Sequence, residues 1–432
     1  MMSSTSYRRY NASPNFSVSH RPRKLISIYL VTITGTNSKG ITSRVTRVLS
    51  EQNAHVLDIG QAVIHENLSL GMLVGLEKEV SPDELKSSMR EALEGFTLKV
   101  RVKPVPHDRY DGWVSRQGKR RHVMTLLARE INPEALSAVT SALSQNGLDI
   151  YHITRLTGRK RLVNLANRGQ ACVEFLARGE VEDMTAFREQ MLELGSRLDV
   201  DLALQEDNVF RRTRRLVCFD MDSTLIRQEV IDELAHKAGV GVEVAQITEA
   251  AMRGEIDFSD SLRKRVRLLA GLPETVLEEV AESLELNPGA EKLLSTLNKM
   301  GLKTVILSGG FSYFGRYLQK VLGVDYVYAN ELEIIDGKLS GNLVGEIVDG
   351  ARKAELLSEI ARDEGFCLEQ TIAVGDGAND LPMLALAGLG IAFHAKPIVR
   401  ESASHALSTL GLDAILYLMG LRDADSGVPR LD

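Results

Sequence analysis

The sequence predicts an α/β protein in which two small ferredoxin-like α+β domains precede a larger domain with an open, mostly parallel sheet. Two observations predict this fold class. The element order βαββαβ occurs twice in the first half of the chain, and three short apolar strands in the second half each end in a polar loop. The 432 residues, 44% hydrophobic and 25% charged, suffice for two or three globular domains.

The first small domain is predicted over residues 24–106 and the second over 119–206. In each, a β-branched segment, a helical pattern, two further strands, a second helix and a last strand follow one another, which is the ferredoxin-like order. Apolar residues of the two series match when the series are offset by about 94 positions, which indicates an internal duplication. The matched pairs are Val45 with Val139, Leu49 with Leu143, Val56 with Ile150, and Ile59 with Ile153.

These two units resemble the ACT domain, a small regulatory fold that binds amino acids at the turn between its first strand and first helix. In the first unit that turn contains Gly40, where the family often has a glycine that lets a ligand approach the backbone. The second unit has Glu134 at the equivalent turn, which departs from the family pattern. The alternative reading is that Gly40 only relaxes a strand-to-helix turn.

Composition limits the partners and the compartment. A net charge of -6 gives no global reason to bind nucleic acid or an anionic membrane, and no apolar run is long enough to span a bilayer. Three widely spaced cysteines, interpreted as core residues, predict a reducing, cytoplasmic compartment. Residues 1–23 are predicted to be a disordered extension, and the arginine cluster near residues 211–215 is interpreted as a solvated linker.

Three motifs in residues 213–432 carry the chemistry. The buried strand Leu216 to Phe219 ends at Asp220 and Asp222, and the apolar strand TVIL ends at Ser308 and Gly309. A third apolar strand ends in the loop GDGAND, which contains Asp376, Asn379 and Asp380. Because ligands of open α/β sheets bind beyond the carboxyl ends of the strands, we expect the three loops to converge.

These residue types suit transfer of a phosphoryl group. Asp220 would attack phosphorus, and Asp222 would protonate the leaving oxygen and later deprotonate water. Carboxylate and carbonyl oxygens are the preferred ligands of Mg²⁺, which Asp220, Asp376 and the backbone carbonyl of Asp222 would supply.

Further residues would surround the phosphate. The Ser308 hydroxyl and the Gly309 amide would form a cradle for its oxygens. Lys353 would supply a compact positive charge, and Asn379 would hydrogen-bond near the phosphate. Asp380 would orient Lys353 or a metal-bound water.

The set FDMDST, LSGG and GDGAND resembles the signature of the haloacid dehalogenase (HAD) superfamily of phosphatases. That resemblance implies a Rossmann-like parallel sheet with helices on both faces and a cap over the site. The helical pattern of residues 229–286 is long enough for a small helical cap.

Cap residues resemble those of phosphoserine phosphatases in type and spacing. The resemblance implies that Glu229 binds the substrate ammonium, that Arg265 binds its carboxylate, and that Met252 and Phe258 wall the pocket. The alternative is that Glu229 only begins a helix as an N-terminal acid and that Arg265 lies on a solvated helix face.

The resemblance implies a Mg²⁺-dependent enzyme that hydrolyses O-phospho-L-serine in the last step of serine biosynthesis. It also implies a homodimer, with regulation by an amino acid such as serine. Two other hypotheses stay open: a phosphatase of this fold for another small phosphomonoester or a phosphoprotein, and a non-catalytic amino-acid sensor. Metal-dependent release of phosphate distinguishes an enzyme from a sensor.

Overall fold

The computed structural model describes residues 26–78, 80–159 and 169–425. The chain divides into two compact units, Met1–Gly118 and Lys119–Asp432. The predicted extension over residues 1–23 lies outside the described residues.

The first unit contains a four-stranded antiparallel sheet whose apolar face carries two helices. Its elements are β1 (Ser27–Thr36), α1 (Ile41–Glu51), β2 (His55–Ile64), β3 (Asn67–Leu76), α2 (Pro82–Ala92), β4 (Leu98–Val105) and α3 (His107–Arg116). The strand order β2-β3-β1-β4 is the predicted ferredoxin-like arrangement. The Ser81 hydroxyl accepts a hydrogen bond from the Glu84 amide at 3.1 Å, which caps the start of α2.

The second unit begins with a sheet of the same design. Its elements are β5 (Arg121–Ala128), α4 (Pro133–Gln145), β6 (Asp149–Arg155), β7 (Ala171–Arg178), α5 (Met184–Leu198) and β8 (Asp201–Glu206), and the strand order is β6-β7-β5-β8. Val139 and Leu143 of α4 are buried, as are their matched residues Val45 and Leu49 of α1. Both four-stranded domains therefore have the βαββαβ order that the sequence predicts.

A seven-stranded sheet forms the larger part of the second unit. Its order is β12-β11-β10-β9-β13-β14-β15; β12 is antiparallel to its neighbour, and the other pairs are parallel. The strands are β9 (Leu216–Phe219), β10 (Lys303–Phe311), β11 (Tyr326–Ile335), β12 (Lys338–Val344), β13 (Thr371–Gly375), β14 (Leu389–Phe393) and β15 (His405–Leu407).

Helices cover this sheet and form an insertion after β9. They are α6 (Val230–Ala238), α7 (Gly241–Met252), α8 (Phe258–Leu268), α9 (Thr275–Ser283), α10 (Ala290–Lys299), α11 (Ser312–Leu322), α12 (Gly350–Asp363), α13 (Leu381–Leu386), α14 (Pro397–Ser402) and α15 (Ile415–Leu418). Helices α6 to α9 form the insertion, which falls within the span where the sequence predicts a cap.

Strand β9 occupies the middle of the sheet, and all four of its side chains are fully buried. Val217 and Phe219 belong to one apolar cluster, whereas Leu216 and Cys218 belong to another. Alternate residues of a strand point to opposite faces, so the sheet is covered on both sides. This confirms the predicted α/β class and explains the continuous apolar run of the strand.

The second four-stranded sheet is joined to the seven-stranded sheet by shared apolar and polar contacts. Leu127, Leu156 and Ala203 lie in the same apolar cluster as Val217 and Phe219. The Asp201 carboxylate accepts hydrogen bonds from the amides of Ser408 and Thr409, each at 2.8 Å. The Gln205 side-chain amide donates to the Leu418 carbonyl at 2.9 Å. These contacts anchor β8 against β15 and α15.

Two predictions from the sequence are wrong in part. The arginine cluster is solvated only at Arg212 and Arg215. Arg211 is only 2% exposed and pairs with Glu174, while Arg214 donates to the carbonyls of Thr371 and Gly388. Cys367 is exposed, whereas Cys172 and Cys218 are core residues as predicted. The hydrogen-bonding capacity of arginine satisfies carbonyls that would otherwise be left unpaired.

Among the described residues, no helix has the length and apolar character needed to cross a bilayer.

We expect Arg211→Ala to lower the free energy of unfolding by about 3–5 kcal/mol, because it leaves the Glu174 carboxylate buried without its partner. Arg212→Ala is the matched control. Arg212 is the next residue, its side chain is 68% exposed, and we expect a loss of about 1 kcal/mol or less. Chemical denaturation of the full chain measures both changes. Equal effects of the two substitutions would contradict the structural role of Arg211.

Candidate active site

Asp220 and Asp222 lie at the carboxyl end of β9, where the chain leaves the sheet in an irregular turn. The Asp220 amide donates to the Val374 carbonyl of β13 at 2.8 Å, which continues the strand pairing up to the carboxylate. Ser223 then adopts a left-handed conformation with φ of 56°. The turn that follows Asp220 therefore lies at the centre of the sheet edge, between the loops that follow β10 and β13.

Lys353 connects two of these loops. It lies in the first turn of α12 and is fully buried. Its ammonium group is 2.8 Å from Asp220 Oδ1 and 2.7 Å from Asp380 Oδ1. A buried ammonium group needs such partners, because desolvation without compensation is costly. Lys353 and Asp380 thus make the contact that the sequence predicts for them.

Three carboxylates cluster beside Lys353. Ligand oxygens of Asp220, Asp376 and Asp380 lie within 4.8 Å of one another. Asp376 accepts a hydrogen bond from the Thr224 hydroxyl at 3.1 Å, and Asp380 accepts one from the Gly377 amide at 3.0 Å. The cluster contains two of the metal ligands named from the sequence, and Asp380 in addition.

Burial and mutual repulsion raise the pKa of Asp220 and of Asp376. Burial, with the negative charge of Asp380, raises the pKa of Asp376 to about 7. Burial and Asp380 likewise raise the pKa of Asp220, although Lys353 opposes the shift. Burial alone would lower the pKa of Lys353, but Asp220 and Asp380 outweigh it and hold that pKa above its usual range. One lysine does not neutralise three carboxylates, so the cluster has the charge and the ligand type that a divalent cation requires.

The Asp222 carboxylate is set apart from this cluster. Its Oδ1 accepts a hydrogen bond from the Val230 amide at 3.2 Å. Burial, together with the nearby charge of Glu229, raises the pKa of Asp222 well above its usual range. A raised pKa makes a carboxyl group hold its proton more firmly, which is a property that a general acid needs.

The loop at the end of β10 faces Asp222 with polar backbone groups. The Ser308 hydroxyl is fully buried and accepts a hydrogen bond from the Gly310 amide at 2.9 Å. A Cβ atom on Gly310 would collide with Asp222 Oδ2, so only glycine permits this close approach. The Asn330 side chain supports the loop by donating to the Gly309 carbonyl at 2.8 Å. Sequence reasoning missed Asn330, which the sequence shows only as a polar residue within a strand.

Two cap side chains make direct contacts with the catalytic loops. The Phe258 ring, at the start of α8, lies against Gly309, where an added Cβ atom would be 2.8 Å from the ring. Glu229 precedes α6, and its Oε1 accepts a hydrogen bond from the Ser223 hydroxyl at 2.8 Å. Partial burial is the main reason that the pKa of Glu229 is raised. The cap therefore lies close over the loops of β9 and β10.

Arg265 is also a cap residue and lies on α8. Its guanidinium group is near the carboxylates of Asp232, Glu229 and Asp222, which favour the charged form, whereas burial lowers its pKa. The Nε atom is buried and makes no hydrogen bond with any described residue. A half-buried guanidinium group whose Nε donor is unused can bind a carboxylate of a ligand.

Three predicted residues are less closely tied to this site. Asn379 shares the loop of Asp376 and Asp380, but no hydrogen bond of its side chain is found among the described residues. Met252 is the last residue of α7, and its side chain lies outside the described part of the chain. Gly40 has φ of 89° at the start of α1, which favours glycine, and a Cβ atom added there would meet no described atom within 4 Å.

Comparison with known proteins identifies the class. A family model for haloacid dehalogenase-like hydrolases matches residues 217–385, and a model for the ACT domain matches residues 27–103. The carboxylate cluster at the carboxyl ends of parallel strands and the helical cap agree with the first match.

Relatives identify the family within that class. A phosphoserine phosphatase of Mycobacterium tuberculosis is 40% identical over 417 residues, which cover 93% of this chain and 97% of that protein. A phosphoserine phosphatase of Streptomyces coelicolor is 40% identical over 394 residues, or 91% and 92% of the two chains. The crystal structure of a probable phosphoserine phosphatase from Vibrio cholerae, unliganded, has a TM-score of 0.55 at 34% identity, covering 69% of this chain and 86% of that one. The chain therefore belongs to the phosphoserine phosphatase family of haloacid dehalogenase-like hydrolases.

The raised pKa of Asp376 predicts that binding of a divalent cation at the carboxylate cluster depends on pH, with Mg²⁺ as the probe. The folded, metal-free protein holds a proton on Asp376 below pH about 7, so this acid favours the folded state at low pH and the advantage is lost as the pH rises. A metal must displace that proton. We expect apparent Mg²⁺ affinity to fall by up to about tenfold for each pH unit below about 7 and to level off above it. The thermal shift caused by Mg²⁺ at several pH values measures this.

The control is Asp376→Asn, which removes the titrating group. We expect that variant to bind Mg²⁺ weakly at every pH. Stabilisation of the wild type by Mg²⁺ to the same extent at about pH 6 and about pH 8 would contradict the prediction.

Proposed function

We propose that the protein hydrolyses O-phospho-L-serine to L-serine and phosphate through an aspartyl-phosphate on Asp220, the last step of serine biosynthesis. The observation that carries the proposal is the position of Asp220. Its carboxylate contacts the buried Lys353 and lies in one cluster with Asp376, while Asp222 stands apart with a raised pKa. The similarity to phosphoserine phosphatases over more than nine-tenths of the chain supports the substrate.

Asp220 and Asp222 divide the chemistry between them. A carboxylate oxygen of Asp220 forms a bond to phosphorus as the bond from phosphorus to the serine oxygen breaks. Asp222 gives its proton to the departing serine oxygen, so that serine leaves as a neutral alcohol. The Asp222 carboxylate then takes a proton from water, which attacks the acyl phosphate. Phosphate leaves, and Asp220 and Asp222 return to their starting states.

Lys353 fixes the nucleophile. Its ammonium group, held by Asp380 on its other side, contacts Asp220 Oδ1 and leaves the second carboxylate oxygen to react. The positive charge also favours the ionised, nucleophilic form of Asp220. The Ser308 hydroxyl, the Gly309 amide and Asn379 would donate to the phosphate oxygens.

The residues at this site fit Mg²⁺. Asp220, Asp376 and the backbone carbonyl of Asp222 would hold the ion, and Asp380 lies close enough to bind a water of its coordination shell. When bound, Mg²⁺ would neutralise charge on the phosphate and on the carboxylate cluster.

The cap supplies groups for the rest of the substrate. Phosphoserine carries an ammonium and a carboxylate, and Glu229 and Arg265 would bind them respectively. The unused Nε of Arg265 supports this assignment, because the group is buried and has no partner among the described residues. The Phe258 ring against Gly309 would exclude water from the phosphate.

The ACT domain points to regulation by an amino acid, with serine, the reaction product, as the first candidate. Gly40 marks the turn where the first unit would bind it.

Exposed apolar side chains on the edge strand β2, such as Val56 and Ile59, would support a homodimer through the small domains. Sedimentation velocity with and without L-serine tests the dimer; a monomer at all concentrations would exclude it.

Three free cysteines accord with a cytoplasmic location.

Phosphate release from a panel of phosphomonoesters tests the function. We expect strong preference for L-phosphoserine, loss of activity in EDTA and its return with Mg²⁺. We expect Asp220→Asn to lower kcat by roughly 10⁴-fold or more, because an amide is a poor nucleophile. Added L-serine tests regulation in the same assay. Broad activity without this preference would favour another phosphomonoester, and Asp220→Asn with substantial turnover would contradict the nucleophile.

Arg265→Ala tests recognition of the substrate carboxylate. We expect kcat/KM for phosphoserine to fall roughly 10- to 150-fold, which corresponds to the loss of a hydrogen bond to a charged group worth about 1.5–3 kcal/mol. Activity on phosphoethanolamine, which lacks the carboxylate, should change much less.

Arg263→Ala is the matched control, because Arg263 lies on the same helix with its side chain 54% exposed. It should leave both substrates unaffected. An equal loss on both substrates for Arg265→Ala would show that Arg265 does not read the carboxylate.

A further inference from the structure

Asn287 lies directly behind the turn that carries Asp222. It belongs to the segment that leads from the cap back to α10. Its side-chain amide donates hydrogen bonds to the carbonyls of Ser223 at 3.1 Å, Thr224 at 2.8 Å and Ile226 at 3.0 Å. The backbone amide of Asn287 also donates to the Leu225 carbonyl at 2.8 Å. Asn287 thus donates hydrogen bonds to four successive backbone carbonyls of the turn, those of residues 223–226.

The turn needs such support because it is irregular. Asp222 has extended backbone angles, and Ser223 is left-handed, so the helical hydrogen-bond pattern is interrupted. Carbonyls in an interrupted turn need other donors. An asparagine amide offers two N–H groups, which three converging carbonyls can share. An aspartate has the same shape but, when ionised, offers no donor.

The same turn carries side chains of the active site. The Ser223 hydroxyl donates to Glu229, the Thr224 hydroxyl donates to Asp376, and Asp222 lies immediately before them. Ser223 and Thr224 therefore make two contacts each. Their backbone carbonyls accept hydrogen bonds from Asn287, and their hydroxyls donate to active-site carboxylates. A shift of this backbone would therefore move groups on both the metal side and the substrate side of the site.

Asn287 is itself firmly held. The next carbonyl, of Pro288, accepts a hydrogen bond from the Leu412 amide at 2.8 Å. A Cβ atom on Gly289 would collide with Asp413, so the chain passes that residue closely. Asp413 pairs with Lys292 at 2.8 Å and accepts a hydrogen bond from Gln170 of the second four-stranded domain. Asn287 therefore connects the catalytic turn to a rigid part of the fold.

We propose that Asn287 is a positioning residue, whose side-chain amide fixes the Ser223–Thr224 backbone and thereby the placement of Asp376 and Glu229. It touches neither substrate nor metal. The roles of Asp376 and Glu229 rest on the proposed function, but the geometric role of Asn287 does not.

The test compares Asn287→Asp with Asn298→Asp. Asn298 is a matched control, because its side-chain amide also donates to two backbone carbonyls, those of Leu322 and Gly323, at the end of α11 and away from the active site. Each variant is the full chain. The readouts are Mg²⁺ affinity from thermal shifts without substrate, and kcat and KM on phosphoserine and on p-nitrophenyl phosphate.

We expect Asn287→Asp to weaken Mg²⁺ affinity and to lower kcat/KM by about 10- to 100-fold, the usual cost of losing an outer-shell partner of a metal site. Asn298→Asp should lower the melting temperature at most and leave affinity and kinetics within about twofold of the wild type. If Asn287→Asp fails to fold, Asn287→Ser keeps one donor, and we expect it to show losses of the same kind but smaller size.

Unchanged Mg²⁺ affinity, kcat and KM in a folded Asn287 variant would overturn the proposal, even if its melting temperature fell. Equal kinetic losses in the Asn298 control would also overturn it. The thermal shift with Mg²⁺ separates this inference from the proposed function. A wild type that binds Mg²⁺ but ignores phosphoserine would refute the substrate and still test Asn287.

Discussion

The buried ion pairs of Lys353 are the constraint on which the rest of the site depends. A fully buried ammonium is stable only with close, well-placed acceptors, and Lys353 has two, Asp220 and Asp380. These acids follow β9 and β13, and the lysine lies on α12, so the pairs fix three elements that are distant in sequence. The fold itself therefore holds the Asp220 carboxylate in place, which would reduce the reorganisation needed for a reaction at that carboxylate.

Those pairs leave an excess of negative charge. Asp376 adds a third carboxylate beside one lysine, and the pKa of about 7 for Asp376 expresses the cost of ionising it there. The same crowding that destabilises the ionised, metal-free site makes it a strong site for a divalent cation. Burial is also the main reason for the raised pKa of Asp222, but there the charged neighbour is Glu229 rather than Asp380, and the two outweigh the hydrogen bond from Val230. Asp220 and Asp222 therefore have different electrostatic surroundings, although they are aspartates only two residues apart.

The sequence predicted local features well and distant partners poorly. Strand β9 was predicted with its observed bounds, because a continuous apolar run followed by charged residues has few alternatives. Convergence of the loops holding Asp220, Ser308 and Asp376 followed from the parallel sheet alone. Asn287 and Arg211 were not predicted, because their roles lie in carbonyls and carboxylates dozens of residues away that no local pattern marks. In the sequence alone, a polar residue whose hydrogen-bond partner is distant along the chain cannot be distinguished from a surface residue.

The two ferredoxin-like domains have the same element order but differ in how deeply their equivalent edge strands, β4 and β8, are buried. In β8 of the second domain, Asp201, Ala203 and Gln205 are all buried, because this strand lies against β15 and the end of the chain. In β4 of the first domain, the equivalent edge strand, only Val100 is buried. Polar residues in β8 therefore have fixed partners, and a change there would disturb the body that carries the active site. The second domain is thus part of the framework that supports the seven-stranded sheet.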